Sequence, residues 1–503
     1  MPRAKREGNY ADSRKEQYLY QFQQLLVLLE TLMNLHANRE NVYNPTMKFE
    51  KSEMAVPSVS FLGAAQSVAG SMHLIESGPF RYLLDCGVNR DDRGKSGPTG
   101  ASFPFDPSTI DAVFLSHAHL DHCGNLPYLI RQGFRGPIHC THATLDLISV
   151  MLNDGARINE HRNRFSNSSR NSSRSLFDYD DVDDTLDACI GVDYSKSVAI
   201  NSDAQICFSD AGHILGSASI AIDLLHSDRE VQIYFTGDLG RRGLPFVADP
   251  TIVPSADLII CESTYGGRSH DSLEEMAAKM ANVVRSTIER KGKVLIPAFS
   301  LGRTQLVLHY LQKWMSEGIV PKLPIFIDNP VASEISLVHD MYDDLLVPEI
   351  DGIPFEWLES DDEATKRSIQ SDPCIILASG GMCDGGRILH HLKYHIDDPR
   401  STIVMVSFQA PDSLGAQLLS RSPRVRFDGR HWNKWIEVAE VKGFSGHADQ
   451  SDFDVLMRDA ASNTGRVRLV HGEPEAMRSL ERQLSGMGFA DVSSPRRNER
   501  VFL

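Results

Sequence analysis

Short apolar runs and helix-period stretches alternate along most of the chain. Between Glu16 and Leu35 the apolar side chains of Leu19, Phe22, Leu25, Leu26, Leu29, Leu32 and Met33 recur at helical intervals, which predicts an amphipathic helix. From Val56 the texture turns to strands. Residues 57–63 and 71–76 predict two strands around a turn of small residues, and 81–87 a third that carries Asp85 at its end. Residues 111–115 are short, apolar and bounded like a buried strand, with a helix starting at 126–130. A strand at 137–140 and a capped apolar helix at 141–153 follow. Strands ending at Asp238 and Glu262 lead into a helix at 273–290, a strand at 294–299, a helix at 304–316, and strands at 324–328 and 374–378. That alternation predicts a parallel, doubly wound sheet. Residues 402–408, 436–441 and 467–470 return to strand texture.

At 503 residues the chain exceeds one core, so two or more domains are expected. Hydrophobic residues at 41% and charged residues at 23% describe an ordinary soluble globular protein. No apolar run approaches the roughly 20 residues of a membrane span. The N-terminus lacks a secretory h-region. The 8 cysteines are scattered without a Cys-x-x-Cys pair, against a disulfide framework or a thiolate zinc site and for a reducing cytoplasm. The net charge of −16 repels a polyanion on average, so a nucleic-acid substrate needs a local basic patch or metals. Between 155 and 187 a basic, Ser/Asn-rich block precedes an acidic one, predicting a flexible solvated insert whose arginines are one candidate for holding phosphates. The N-terminal helix packs on the body, on a twin subunit as a homodimer, or on a partner protein.

The chemistry is densest at Ser116-His117-Ala118-His119-Leu120-Asp121-His122-Cys123-Gly124. Three imidazoles and one carboxylate fall within six residues, at the carboxyl end of a strand, where open α/β sheets place their sites. These are zinc ligands, and their crowding favours two ions that share further ligands from elsewhere. His213, between Gly212 and Gly216, and Asp238, between Gly237 and Gly240, sit on such turns, with Asp238 placed to bridge. His447 and His471 follow on later turns. Asp85 either orients a ligand histidine through its other ring nitrogen or makes a turn. The glycine-rich turns at Gly302-Arg303 and Ser379-Gly380 aim amides and a helix start outward, which suits phosphate.

In this order the motifs resemble the metallo-β-lactamase fold, and specifically its β-CASP branch of nucleic-acid hydrolases. The resemblance rests on the His-Ala-His-Leu-Asp-His run together with Cys261-Glu262-Ser263-Thr264-Tyr265, Ile296-Pro297-Ala298-Phe299-Ser300-Leu301-Gly302-Arg303, Gly443-Phe444-Ser445-Gly446-His447 and Val470-His471-Gly472-Glu473. It implies an α/β fold: an αββα sandwich with an inserted β-CASP domain of parallel sheet and flanking helices. The expected division is an extension at 1–55, a first metallo-β-lactamase part at 56–265, the β-CASP domain at 266–408, and a second metallo-β-lactamase part at 409–503. It implies one zinc on His117, His119 and His213 and a second on Asp121, His122 and His471, with Asp238 bridging. Glu262 and His447 match the branch's further acidic and histidine motifs. A histidine at 471 marks members that cut RNA. The turn at Gly63-Ala64-Ala65-Gln66-Ser67 departs from the family by replacing some of its glycines.

The implied activity is a zinc ribonuclease. Hydroxide activated by the two metals would cleave single-stranded RNA to 5′-phosphate and 3′-hydroxyl ends, with Asp121, Asp238, Glu262 and His447 as catalytic residues. Ser379, Gly380, Gly302 and Arg303 would bind the RNA backbone. A DNA nuclease, a small-molecule metallohydrolase and a non-catalytic RNA-processing scaffold are the alternatives.

Overall fold

A computed structural model describes residues 56–88, 102–166, 176–226, 229–342, 355–358 and 373–503. The extension 1–55 and its expected helix lie outside the described residues. The first strands in the chain are β1 (Ser58–Phe61), β2 (His73–Ser77), β3 (Phe80–Leu84), β4 (Ala112–Phe114), β5 (Ile138–Thr141) and β6 (Cys189–Val192). Next come β7 (Ser197–Ala199), β8 (Ala204–Asp210), β9 (Ala218–His226), β10 (Arg229–Phe235) and β11 (Leu258–Glu262). After them lie β12 (Val294–Ala298), β13 (Ile325–Asp328), β14 (Phe355–Trp357), β15 (Ile375–Ser379) and β16 (Thr402–Met405). The chain closes with a hairpin of β17 (Arg424–Phe427) and β18 (Arg430–Asn433), then β19 (Glu437–Glu440), β20 (Arg466–Val470), β21 (Val492–Ser493) and β22 (Glu499–Phe502).

Two sheets form a sandwich, ordered β22-β1-β2-β3-β4-β5-β6 and β21-β20-β11-β10-β9-β8-β7. Their facing sides share one core, in which Phe61, Tyr82 and Phe114 of the first meet Phe208, Ile222 and Phe235 of the second. Helices Gln450–Leu456 and Pro474–Met487 cover the outer face of the second sheet through Phe453, Leu456, Leu480 and Leu484. Helices His142–Ser166 and Tyr179–Asp187 follow or precede strands of the first sheet and lie on its other side. This is the αββα arrangement expected from the resemblance.

The inserted sheet is parallel throughout, in the order β14-β13-β15-β12-β16-β19. Within β12, Val294 and Ile296 face helices Leu273–Glu289 and Arg303–Ser316, while Leu295 faces helices Ile388–His395 and Leu414–Leu419. That is the two-residue repeat of a strand buried on both faces.

Two expectations need correction. The inserted sheet runs on past residue 408, because β19 pairs with β16 from Thr402↔Glu437 to Met405↔Glu440. Of the span 155–187, the described residues are largely helical at both ends, and 167–175 lie outside the described residues. Helix His142–Ser166 continues through its first part, and Asp178 caps a second helix with a reciprocal side-chain box. Burial explains the first helix's length: Ala156 is fully buried and Asn159 nearly so, and Gly155 lies under the ring of Phe177.

Candidate metal centre and cavity

The carboxyl ends of five strands deliver the site, β4 from one sheet and β8, β10, β11 and β20 from the other, with His213 on the turn after β8. β20, β11 and β10 run parallel, with Glu262 beside Val470 and Ile260 beside Phe235, so Asp238, Glu262 and His471 emerge level at one edge. β4 delivers the histidine run from the facing sheet. Only its first half is a loop; Leu120–Cys123 is a helical turn that carries Asp121 and His122. Gly237, at φ 54, brings the two edges together, since a Cβ there would lie 2.8 Å from Cβ of Ser116.

All seven expected ligands converge. His117, His119, His213 and Asp238 form one group, and Asp121, His122 and His471 another, each with its ligand atoms within 4.8 Å of one another. Nε2 of His117 and of His213 lie 3.1 and 3.3 Å from Nδ1 of His119. Nε2 of His471 lies 3.3 Å from both Nε2 of His122 and Oδ2 of Asp121. Oδ2 of Asp238 touches both groups, 3.5 Å from Nε2 of His117 and 3.4 Å from Nε2 of His122.

The outer hydrogen bonds fix which nitrogens point inward. Asp85, fully buried at φ 57, accepts from His122 Nδ1 at 2.7 Å, from the Ser116 amide at 2.8 Å and from Ser71 Oγ at 2.9 Å. Ser116 Oγ donates to Asp85 at 3.1 Å and lies 3.0 Å from His117 Nδ1. Thr264 Oγ1 donates to the His471 carbonyl at 3.0 Å and so accepts from its Nδ1, also at 3.0 Å. With their Nδ1 protons held outward, His117, His122 and His471 turn Nε2 lone pairs on the centre. Lone pairs facing one another at such distances, and an Oδ1 of Asp238 that is buried without a hydrogen bond, fit a bound cation. The imidazole and carboxylate donors fit zinc.

Without a metal the electrostatics divide the histidines: burial opposes charge on His122, but the Asp238 and Asp85 carboxylates outweigh it and raise its pKa well above the ordinary range, so a bound cation would displace its Nε2 proton. Burial, with the neighbouring His122, holds His117 well below the ordinary histidine range, and burial lowers His119 to about 4. Burial works against charge on Asp238, yet the imidazoles of His471, His122 and His447 hold its carboxyl well below the usual range.

Beside the ligands, Nδ1 of His447 lies 3.0 Å from Oε1 of Glu262. Glu262 is fixed in turn by the amides of Leu239 and Thr264, at 3.0 and 2.9 Å. Burial opposes charge on His447, but the Glu262 and Asp238 carboxylates outweigh it and raise its pKa. The atypical turn holds as well: Ala64 and Gln66 take φ of 47 and 60, and the Ala64 carbonyl accepts the His471 amide at 2.8 Å.

A cavity of about 890 Å³ opens over this centre, with the inserted domain as its other wall. Ser379, Gly302 and Arg303 line it. Arg303 also donates to the Val406 carbonyl, which ties two strand ends together. Gly380, at φ 107, shapes its turn: a Cβ there would strike the Gly385 carbonyl. Sequence reasoning missed Thr264, Ser71 and Ser116, although each neighbours a residue or turn it singled out. It also missed His270, whose Nε2 donates to the His447 carbonyl at 2.9 Å, and Arg387, which lines the cavity with its Nε 2.7 Å from the buried Asp328.

Three family descriptions match the chain: a metallo-beta-lactamase superfamily domain over residues 74–236, a Beta-Casp domain over 304–418, and a Zn-dependent metallo-hydrolase RNA specificity domain over 436–495. Ribonuclease TTHA0252 of Thermus thermophilus is 34% identical over 450 residues, which is 87% of this chain and 98% of that protein. Transcription termination factor FttA of Methanosarcina mazei is 32% identical over 440 residues, 83% of this chain and 67% of that factor. FttA of Methanocaldococcus jannaschii is 30% identical over 439 residues, with 82% and 67% covered. The chain belongs to the β-CASP family of metal-dependent hydrolases within the metallo-β-lactamase superfamily.

Proposed function

We propose that this protein is a zinc-dependent ribonuclease that hydrolyses single-stranded RNA to 5′-phosphate and 3′-hydroxyl ends. The observation that carries the reading is the convergence of seven metal-type ligands and the His447–Glu262 pair on the floor of one cavity. The relative named as a ribonuclease, and the matched description of an RNA specificity domain around His447 and His471, support RNA as the substrate.

In this reading His117, His119 and His213 would hold one zinc ion and Asp121, His122 and His471 a second, with Asp238 within reach of both groups. Bound there, zinc would supply Lewis acidity and lower the pKa of water towards ~7. The chain's own residues do the rest. Asp85, Ser116 and Thr264 keep the ligand nitrogens aimed inward. Glu262 holds Nδ1 of His447, which leaves Nε2 to orient the scissile phosphate. As water attacks phosphorus and gives up a proton to solvent, the bond to the 3′ oxygen breaks, His447 gives that oxygen its proton, and a 3′-hydroxyl departs, His447 being reprotonated from solvent. Ser379, Gly380, Gly302 and Arg303 bind the backbone, Arg303 chiefly by fixing the strand ends around it.

All eight cysteines are free, which supports a reducing, cytoplasmic setting. No described helix is long and apolar enough to cross a membrane. Digestion of end-labelled RNA and DNA of one sequence by zinc-loaded protein tests the reading. RNA fragments bearing 5′-phosphates are expected; equal or preferred cutting of DNA, or hydrolysis of small esters alone, overturns it.

A further inference from the structure

Two phenylalanine rings stand in the cavity without being buried. Phe299, directly after β12, is 41% exposed, and Phe408, three residues after β16, is 37% exposed; both line the cavity over the metal-type ligands. β12 and β16 are adjacent parallel strands, so the two rings leave the sheet at one edge. A ring left in contact with water forgoes the stabilisation that burial gives it, so neither position is explained by the core.

The Phe299 ring and the backbone that carries Phe408 are nonetheless held. One side of Phe299 rests on Gly381, where a Cβ would come within 2.9 Å of ring carbon Cε2. Its carbonyl accepts the Thr304 hydroxyl at 2.7 Å. Next to Phe408, the Gln409 amide donates to the Gly381 carbonyl at 2.8 Å and to the Ser407 carbonyl at 2.9 Å. Arg303 grips the same segment at Val406. One glycine turn thus supports the Phe299 ring directly and the segment carrying Phe408 through Gln409. Arg387, anchored by Asp328, places a guanidinium on the same cavity.

Fixed, exposed aromatic faces beside a cation match the chemistry of a single nucleic-acid strand, whose bases offer π-faces and whose phosphates need positive charge. A duplex keeps those faces stacked inside the helix. We propose that Phe299 and Phe408 each stack on a base of a single RNA strand lying in the cavity. They would thereby select unpaired substrate and supply affinity for the strand in the cavity, away from the scissile bond. The proposal rests on the ribonuclease reading above.

The test measures binding of a short labelled oligoadenylate to the zinc-loaded full chain, with a parallel series in which one base at a time is removed. Phe299→Ala and Phe408→Ala should each weaken binding about ten-fold and raise KM with kcat and zinc content unchanged, while Phe299→Tyr restores binding. Gly381→Ala should act like Phe299→Ala by displacing the ring. For each ring, one abasic position should cost the parent protein about ten-fold and its Ala variant nothing further. Variants that bind as the parent does, or abasic and Ala losses that simply add, overturn the stacking proposal alone. A parent protein that binds no RNA overturns it together with the ribonuclease reading.

Discussion

Asp85→Asn is the sharpest probe of the metal centre, because it changes one atom at a position whose φ of 57 asparagine tolerates well. The carboxylate now receives two N–H donors that cannot turn away: His122 Nδ1 on Oδ2 at 2.7 Å and the Ser116 amide on Oδ1 at 2.8 Å. The hydroxyls of Ser71 and Ser116 can rotate to accept instead. An asparagine NH₂ must replace one of the two oxygens. Placed at Oδ2, it meets His122 donor to donor, or drives the histidine proton onto Nε2 and removes a ligand lone pair. Placed at Oδ1, it leaves the Ser116 amide unsatisfied next to His117. Either arrangement forfeits roughly 1–3 kcal/mol in a fully buried site. That predicts a 10–100-fold loss of zinc affinity, of the order found where outer partners of metal ligands are removed. Competition with a chromogenic chelator measures the affinity, and circular dichroism checks the fold. Cleavage should fall at limiting zinc and recover in excess. If Asp85→Asn binds zinc as tightly as the parent, the assignment of nitrogens and the bound-cation reading built on it are wrong.

Three further outcomes are expected. His447→Ala should lower RNA cleavage by about two to four orders of magnitude with zinc content unchanged, read by metal analysis beside a labelled-RNA assay; undiminished cleavage would remove its proposed role. Removal of metal with a chelator should abolish cleavage and restore it on return of zinc alone, followed by product length on gels. Asp328→Asn should lower stability by about 3 kcal/mol at neutral pH, because Asp328 is fully buried with His391 at 2.8 Å and Arg387 at 2.7 Å. Burial alone would raise the Asp328 pKa, but those two bonds hold it below the ordinary range. A depressed carboxyl stabilises the fold above its unfolded pKa, about 4, and loses that contribution as pH falls through the folded value. Denaturant midpoints of parent and variant should therefore converge in acid, and a gap independent of pH would refute the account.

What the sequence made legible follows from how local each feature is. His117, His119, Asp121 and His122 lie in one run, so their spacing alone announces a metal site. Asp238 and His471 stand at strand ends that the parallel register of β10, β11 and β20 brings level, and His213 joins them from the turn after β8, two strands from β10 across antiparallel β9; the family resemblance implied that convergence where spacing alone did not. Sheet membership was harder. β19 carries Glu437 and Glu440 with only intermediate burial between them, an edge-strand pattern that does not name the sheet it joins. The basic stretch after Asn153 reads as loop by composition, yet Ala156 and Asn159 are drawn into a helix by burial that composition does not encode.

Least visible were the groups that act through other residues. Ser71, Ser116 and Thr264 are ordinary hydroxyls until the fold sets Ser71 against Asp85, Ser116 against Asp85 and His117, and Thr264 against His471, where the last two fix a ring nitrogen's proton directly. Asp328 and Arg387 are 59 positions apart and meet only because β13 ends beneath the turn that opens helix Ile388–His395. Four of the seven candidate ligands are therefore written in local spacing, while the convergence of the other three and the orientation of the imidazoles are written in contacts between strand ends. A variant that keeps every ligand but disturbs those contacts is the kind that would separate binding a metal from using it.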